Sequence, residues 1–202
     1  MTKLQERFLL LRQLDADSRD PSTWWKYEFS PKTVEELAHK YINEELKKDS
    51  LSLERILASS SPSISDAYRL NEQEPVEFEP YTDMLRQYQT AVPLILYRGV
   101  SSVPFDKMIE SATALADPKI QYYEKGFLSC SLLPEYASKI SGIKQFKLFC
   151  MPGTNVIYMG HINDEEEPNK QCRYECVVQR GAQLQLIHED SQYYYCIIKK
   201  TV

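Results

Sequence analysis

Apolar and polar residues follow two different patterns along the chain, and the pattern changes near residue 90. Before that point apolar residues recur at helical spacing, for example at Val34, Leu37 and Tyr41. After it, short segments alternate apolar and polar positions as half-buried strands do. These segments cover residues 94–100, 126–132, 145–151, 155–159, 174–179, 183–188 and 193–199. The pattern predicts an α+β protein, with an N-terminal helical lobe over residues 1–90 and an antiparallel β domain over residues 91–202 that together form one unit.

Smaller signals divide the β domain further. Helices are predicted over residues 105–115 and 134–140, and a turn at Pro152-Gly153 ends the strand before it. An acidic polar loop is predicted over residues 161–170. Repeats and a second compact domain are not evident.

Composition excludes several classes of protein. The 202 residues contain 24 Lys and Arg against 29 Asp and Glu, a net charge of −5, which argues against a nucleic-acid binder with a broad basic surface, although a local basic patch stays open. No run approaches the roughly 18 to 20 apolar residues of a membrane span. We therefore expect no membrane partner, and the N-terminus shows no secretory signal pattern.

The cysteine count points to a reducing compartment. Five cysteines, an odd number without a C-x-x-C pair, do not resemble a disulfide framework. Their spacing offers no zinc site, so we expect no metal.

Three predicted strands each carry one polar residue in an otherwise apolar segment. These are Arg98, Ser129 and Glu175. An arginine fork suits phosphate oxygens, such as those of a dinucleotide. A fixed carboxylate stabilises the positive charge that develops on a ribose when its glycosidic bond breaks. A cation, a hydroxyl and an anion on separate strands therefore form a sensible set for cleavage of NAD.

The motifs around these residues resemble a known family. Leu-Tyr-Arg-Gly at 96–99, Gly-Phe-Leu-Ser-Cys-Ser at 126–131 and Glu175 followed by Val-Val-Gln-Arg-Gly at 177–181 are similar to the Arg–Ser–Glu pattern of mono-ADP-ribosyltransferases of the cholera-toxin-like and ecto-enzyme class. Met-Pro-Gly-Thr at 151–154 resembles a turn that this class places between the Ser and Glu strands. The resemblance covers roughly residues 90–200 and implies a two-sheet β domain of the ADP-ribosyltransferase type.

The resemblance implies roles for individual residues. Arg98, with Gly99 beside it, would hold the phosphates and ribose of NAD, and Glu175 would be the catalytic carboxylate. Ser129 and Ser131 would support the site, with Cys130 in place of the usual Thr. Tyr136 lies in the segment that matches the loop over phosphate and nicotinamide.

One position departs from the family pattern. Arginine-modifying members usually carry Glu two positions before the catalytic Glu, and several other toxins carry Gln, whereas this chain has Arg173. A second cation would repel an incoming guanidinium. The acceptor group therefore stays open among a hydroxyl, a carboxylate, a nucleotide base and water.

The family implies a function that the residues alone leave open. We expect a monomeric bacterial toxin or effector acting in a host cytosol, which transfers ADP-ribose from NAD, its substrate, to a non-arginine side chain such as Ser or Thr of a host protein. A nucleic-acid acceptor is a weaker expectation. The alternatives are an NAD glycohydrolase and an inactive binding module, which gains support if Arg98 and Glu175 face different sides of the sheet. Arg98 could also merely form a salt bridge at a strand end.

Overall fold

A computed structural model describes residues 78–89, 94–131, 134, 137, 144–158 and 175–202. Most of the helical lobe predicted over residues 1–90 lies outside these residues, as do Tyr136, the acidic loop and Arg173. The helical lobe and the domain boundary at residue 90 stay predictions.

Two helices and eight strands have described bounds, close to the segments that the sequence pattern predicts, and the described residues Pro134 and Ala137 are also helical, within the helix predicted over 134–140. The helices are α1 (Phe78–Leu85) and α2 (Ser102–Thr113). The strands are β1 (Leu94–Arg98), β2 (Tyr122–Glu124), β3 (Leu128–Ser131), β4 (Gln145–Cys150), β5 (Val156–Tyr158), β6 (Glu175–Val178), β7 (Ala182–Glu189) and β8 (Tyr193–Lys200). No helix among the described residues is both long enough and apolar enough to cross a membrane.

The strand order corrects two expectations about the β domain. Within the described residues the strands are hydrogen-bonded in one sheet, in the order β2-β7-β8-β4-β1-β3-β6-β5, rather than in two. The sheet is also mixed, because β8 lies parallel to β4 while the other pairs are antiparallel. The last strand enters the middle of the sheet and separates β7 from β4.

The connection from β2 to β3 shows that this sheet curls. The two strands lie five places apart in the order, about 24 Å in a flat sheet with a strand spacing of about 4.8 Å. Only residues 125–127 join them, and the four steps from Glu124 to Leu128 span at most about 14 Å. The β2 edge must therefore bend back toward β3. One curled sheet then resembles two facing layers.

Both faces of the central strand β1 are buried. Leu94 and Leu96 belong to the main hydrophobic core, whose other members come from both halves of the curled sheet. Ile95 and Tyr97 point to the opposite face and pack in a second cluster that includes Ala137 and Phe149. Burial on both sides explains why the strand is almost entirely apolar up to Arg98.

Helix α2 begins three residues earlier than predicted. Pro104 lies in the first turn, where a proline fits because its missing N–H has no intrahelical partner there. The backbone N–H of Phe105 bonds the carbonyl of Ser101 at 3.1 Å. The ring of Phe105 packs on those of Tyr122 and Tyr194, which fixes α2 against β2 and β8.

Two turns use glycine at positive φ. Gly153 (φ 87°) follows Pro152, and the N–H of Thr154 bonds the carbonyl of Met151 at 3.0 Å, which confirms the predicted Pro-Gly turn. Gly181 (φ 74°) joins β6 to β7 and lies directly against the side chain of Val202.

The two glycines make a matched test of stability. Gly153→Ala should lower the free energy of unfolding by about 1–2 kcal/mol, the cost of a left-handed backbone at a residue with a Cβ. Gly181→Ala should cost clearly more, because its Cβ would also collide with Val202, whereas no atom lies within 4 Å of a Cβ at residue 153. Urea denaturation measures both. Val202→Gly should recover part of the extra loss in Gly181→Ala, and equal losses for the two alanine variants would contradict this account of the turn.

Candidate active site

The three strands that carry the predicted site residues are neighbours. In the sheet, β3 lies between β1 and β6. Tyr97 of β1 pairs with Ser131 of β3, and Ser131 pairs with Glu175 of β6. Directly paired residues share a face of a sheet, so the backbone places these three positions in one row.

The row extends to a lysine on the other side of β1. Lys147 of β4 pairs with Tyr97 and, across the other edge of β4, with Tyr195 of β8. Its side-chain nitrogen lies 5.9 Å from the centre of the Tyr97 ring and 5.5 Å from that of Tyr195. Lys147 is only 3% exposed, and aromatic faces partly compensate a cation that leaves water. The row therefore combines a buried cation, a hydroxyl and an acidic position.

Arg98 belongs to the adjacent row. It follows Tyr97 as the last residue of β1, so it begins on the opposite face, that of Leu94 and Leu96. Its Nη1 donates a hydrogen bond to the backbone carbonyl of Ser129 at 2.6 Å, which holds the guanidinium beside the Ser strand. The Arg98 side chain is 11% exposed.

A buried carboxylate faces Arg98. Glu124, at the end of β2, lies with Oε2 3.7 Å from Nη2 of Arg98, and its side chain is fully buried. Its Oε1 accepts a hydrogen bond from the N–H of Gly126 at 2.8 Å. The salt bridge that remained open for Arg98 is thus present, and it joins the candidate site to the turn before β3.

The structure also describes other residues of the predicted site. Gly99 and Ser131 are buried, and Ser129 is half-buried. Glu175 is placed by its backbone as the first residue of β6, and Tyr136 lies outside the described residues. The assigned roles in NAD binding and catalysis stay predictions.

The strand of Glu175 is anchored at its far end by helix α1. The side-chain amide of Gln179 donates to the carbonyl of Thr82 at 2.7 Å, and Nε of Arg180 donates to the Thr82 hydroxyl at 2.6 Å. Arg180 also pairs with Glu79 at 3.0 Å. The side-chain amide of Asn155, beside β5, donates to the last carbonyl of α1 and to two carbonyls just after the helix. These contacts fix β6 relative to the helix.

Sequence reasoning missed two charged residues here. Glu124 occupies an inward position of a three-residue strand, where a charged residue hides the alternation. Lys147 lies in a segment read as half-buried, yet all six residues of β4 are buried. The signal for Glu124 was its place two residues before Gly126, where a carboxylate can bond a turn N–H.

The described cysteines do not offer a nucleophile. Cys130 faces Cys176 across β3 and β6, and both are buried. Burial raises the pKa of the Cys150 thiol, with a smaller contribution from Cys130, and burial likewise raises the pKa of Cys196. No group of potential metal ligands occurs among the described residues.

The comparisons with known proteins are informative only for structure. No protein-family model matches the chain, and no curated protein matches it. Among solved structures, the C3 exoenzyme of Clostridium limosum aligns with a TM-score of 0.61 at 15% identity, over 87% of this chain and 97% of that one. Plx2a, an ADP-ribosyltransferase toxin from Paenibacillus larvae, aligns with a TM-score of 0.58 at 12% identity, over 84% and 96%.

A third structure is part of a larger protein. BECa, an ADP-ribosylating toxin of a binary enterotoxin of C. perfringens, solved with NADH, aligns with a TM-score of 0.53 at 12% identity, over 83% of this chain and 47% of that one. The chain spans about half the length of BECa. Identities this low carry the fold alone. The chain has the fold of bacterial ADP-ribosyltransferase toxins, which confirms the predicted fold type.

Burial makes a testable prediction for the thiols. In the native protein, Cys130, Cys150, Cys176 and Cys196 should react with iodoacetamide at least about tenfold more slowly than in urea, because their buried sulfur atoms are shielded from the reagent. Mass spectrometry of tryptic peptides measures each site. Rapid native labelling of Cys130 would show that this thiol is accessible and reactive.

Proposed function

We propose that the chain is a mono-ADP-ribosyltransferase of the Arg–Ser–Glu class that uses NAD as donor. The shared fold of Plx2a and the C3 exoenzyme supports the class of enzyme, and the NADH in the BECa structure supports the class of cofactor. Fold alone does not specify chemistry, so the proposal depends on the residues of the site.

One observation carries the proposal. The strands of Arg98, Ser129 and Glu175 are three consecutive neighbours in the sheet, although their residues are separated by 31 and 46 positions along the chain. Ser131 pairs directly with Glu175, and Arg98 bonds the Ser129 carbonyl. A motif that arose by chance has no reason to be assembled on adjacent strands.

The guanidinium of Arg98 suits the anionic half of the donor. Arginine presents rigid paired donors that match phosphate oxygens. A mostly buried guanidinium also attracts the pyrophosphate more strongly than one in water, because screening is weaker there. Arg98 would hold NAD while its own orientation is set by the protein.

Glu175 would act at the ribose. The bond between the anomeric carbon and the nicotinamide nitrogen breaks, its electron pair leaves with nicotinamide, and the sugar becomes an oxocarbenium ion. A carboxylate beside the ribose stabilises that charge, which exists only in the transition state and intermediate. The acceptor oxygen then bonds the anomeric carbon and loses its proton.

The acceptor is proposed from the residue two positions before Glu175. Arg173 disfavours a guanidinium acceptor, so we propose a hydroxyl side chain, Ser or Thr, of a host protein. The setting is a monomeric secreted bacterial effector acting in the host cytosol. Ser131 and Gly99 would line the NAD site with Tyr136.

Two competing functions each have one observation in their favour. Arg173 is compatible with water as acceptor, which would make the chain an NAD glycohydrolase. Arg98 and Glu175 occupy alternate rows, which favours a binding module without catalysis. The hydrogen bond from Arg98 to the Ser129 carbonyl weighs against the latter, since it holds the guanidinium against the strand that pairs with β6.

The test is turnover of labelled NAD by the wild type and by Glu175→Gln. The variant keeps the size of the side chain but loses its charge, so we expect nicotinamide release to fall by about 10²–10³-fold, as when a preorganised electrostatic group is removed. With a eukaryotic lysate present, the wild type should label a protein band and the variant should not.

Glu110→Gln is the matched control. Glu110 is an exposed carboxylate on α2 that pairs with Lys107, so its loss should leave turnover unchanged. Nicotinamide release without a labelled protein band would show that the protein acts as an NAD glycohydrolase rather than as a transferase. Absence of any NAD turnover in the wild type would overturn the proposed enzymatic function and favour a binding module.

A further inference from the structure

We propose that Glu124 is a positioning residue for Arg98, and that its charge sets the affinity of the site for the NAD pyrophosphate. This inference rests on the proposed function. The spacing of Glu124 from Gly126 indicates a turn contact but gives no sign of a link to Arg98. The structure brings its carboxylate to the guanidinium from a strand at the far edge of the sheet, through the curl that the β2–β3 connection imposes.

Glu124 links two parts of the candidate site. One carboxylate oxygen faces Nη2 of Arg98 at 3.7 Å, and the other accepts the N–H of Gly126 at 2.8 Å. Arg98 in turn donates through Nη1 to the carbonyl of Ser129 at 2.6 Å. The contacts close a ring that runs from β1 to β2, through the turn to β3, and back to β1.

The contacts of the carboxylate with Gly126 and with Arg98 differ in kind. The bond to Gly126 is a short hydrogen bond that any side-chain oxygen at this place could accept, including that of glutamine. The distance of 3.7 Å between the carboxylate and Nη2 of Arg98 exceeds that of a normal hydrogen bond. The carboxylate therefore acts on the guanidinium through its charge. The structural role and the positioning role of Glu124 can therefore be separated by one substitution.

Burial gives the charge a large effect. A fully buried carboxylate has lost its hydration, and such a group is costly unless a cation and hydrogen bonds compensate it. An apolar residue at this place would avoid that cost. A retained charge pair suits a site in which the direction of a guanidinium matters more than the stability of the core.

Loss of the alignment of Arg98 should change the affinity for NAD rather than the rate at which its glycosidic bond breaks. Arg98 would contact phosphates, which stay bonded in the same way before and during cleavage of the glycosidic bond. Loss of its alignment should therefore weaken ground state and transition state alike, which raises KM and leaves kcat nearly unchanged.

The test is a double-mutant cycle of Glu124→Gln and Arg98→Lys, with KM and kcat for nicotinamide release. Glu124→Gln should raise KM for NAD about five- to twentyfold with kcat changed less than about twofold, because the alignment of a bidentate phosphate contact is lost. In the Arg98→Lys background the same substitution should change KM by less than about twofold, since the guanidinium that Glu124 aligns is then absent. A purely structural Glu124 would give the same factor in both backgrounds.

Glu189→Gln provides the control, because Glu189 is exposed on β7 and its partner Lys144 lies outside the site. Thermal unfolding followed by circular dichroism checks that each variant is folded. If Glu124→Gln does not fold, Glu124→Asp keeps the charge but withdraws it from Arg98, and it too should raise KM. An unchanged or lowered KM in the folded variant overturns the inference while wild-type turnover leaves the proposed function standing. A wild type that neither binds NAD by calorimetry nor cleaves it overturns both.

Discussion

The three-residue connection between β2 and β3 is the constraint on which the site depends. It is too short to cross a flat sheet of this strand order, so the sheet must bend until its first strand reaches its sixth. The bend encloses the main hydrophobic core. It also brings Glu124 to Arg98, two residues whose strands are four places apart in the sheet. The same geometric requirement thus creates both the core and the buried ion pair.

Buried charges in this protein are held by different kinds of partner. Arg98 is held by a carboxylate and a strand carbonyl, Lys147 lies against two tyrosine rings, and Arg180 binds a threonine hydroxyl and Glu79. Each arrangement limits the cost of removing a cation from water. Arg98 lies on β1, Lys147 on the neighbouring strand β4 and Arg180 just after β6. The interior around the candidate site therefore contains more charged groups than the apolar pattern of its strands indicates.

The sequence predicts the individual strands well and their arrangement poorly. Alternation locates β1, β4, β7 and β8 within one or two residues, because each buries at least one face against a core. It misses β2, where Glu124 replaces an apolar residue at an inward position. The parallel pairing of β4 with β8 depends on contacts between distant residues, which a local pattern does not contain. Motif order identified Arg98 and Ser129, which the structure joins, but it could not reveal Glu124, whose position depends on the curl of the sheet.

The place of β8 in the sheet affects how the chain folds. Among the described strands, β2 is an edge strand that pairs with β7 alone, so hydrogen bonds connect these two strands to the rest of the sheet only through β8, which pairs with β4 across more than forty residues. Strands β2, β7 and β8 cannot join the other half of the sheet until residues 193–200 pair with β4, so completion of the sheet requires closure of a long loop. Such topologies fold slowly, on a scale of about milliseconds to seconds. During that interval the edge of β4 is exposed, and this edge is where a folding intermediate of the protein would pair with another chain.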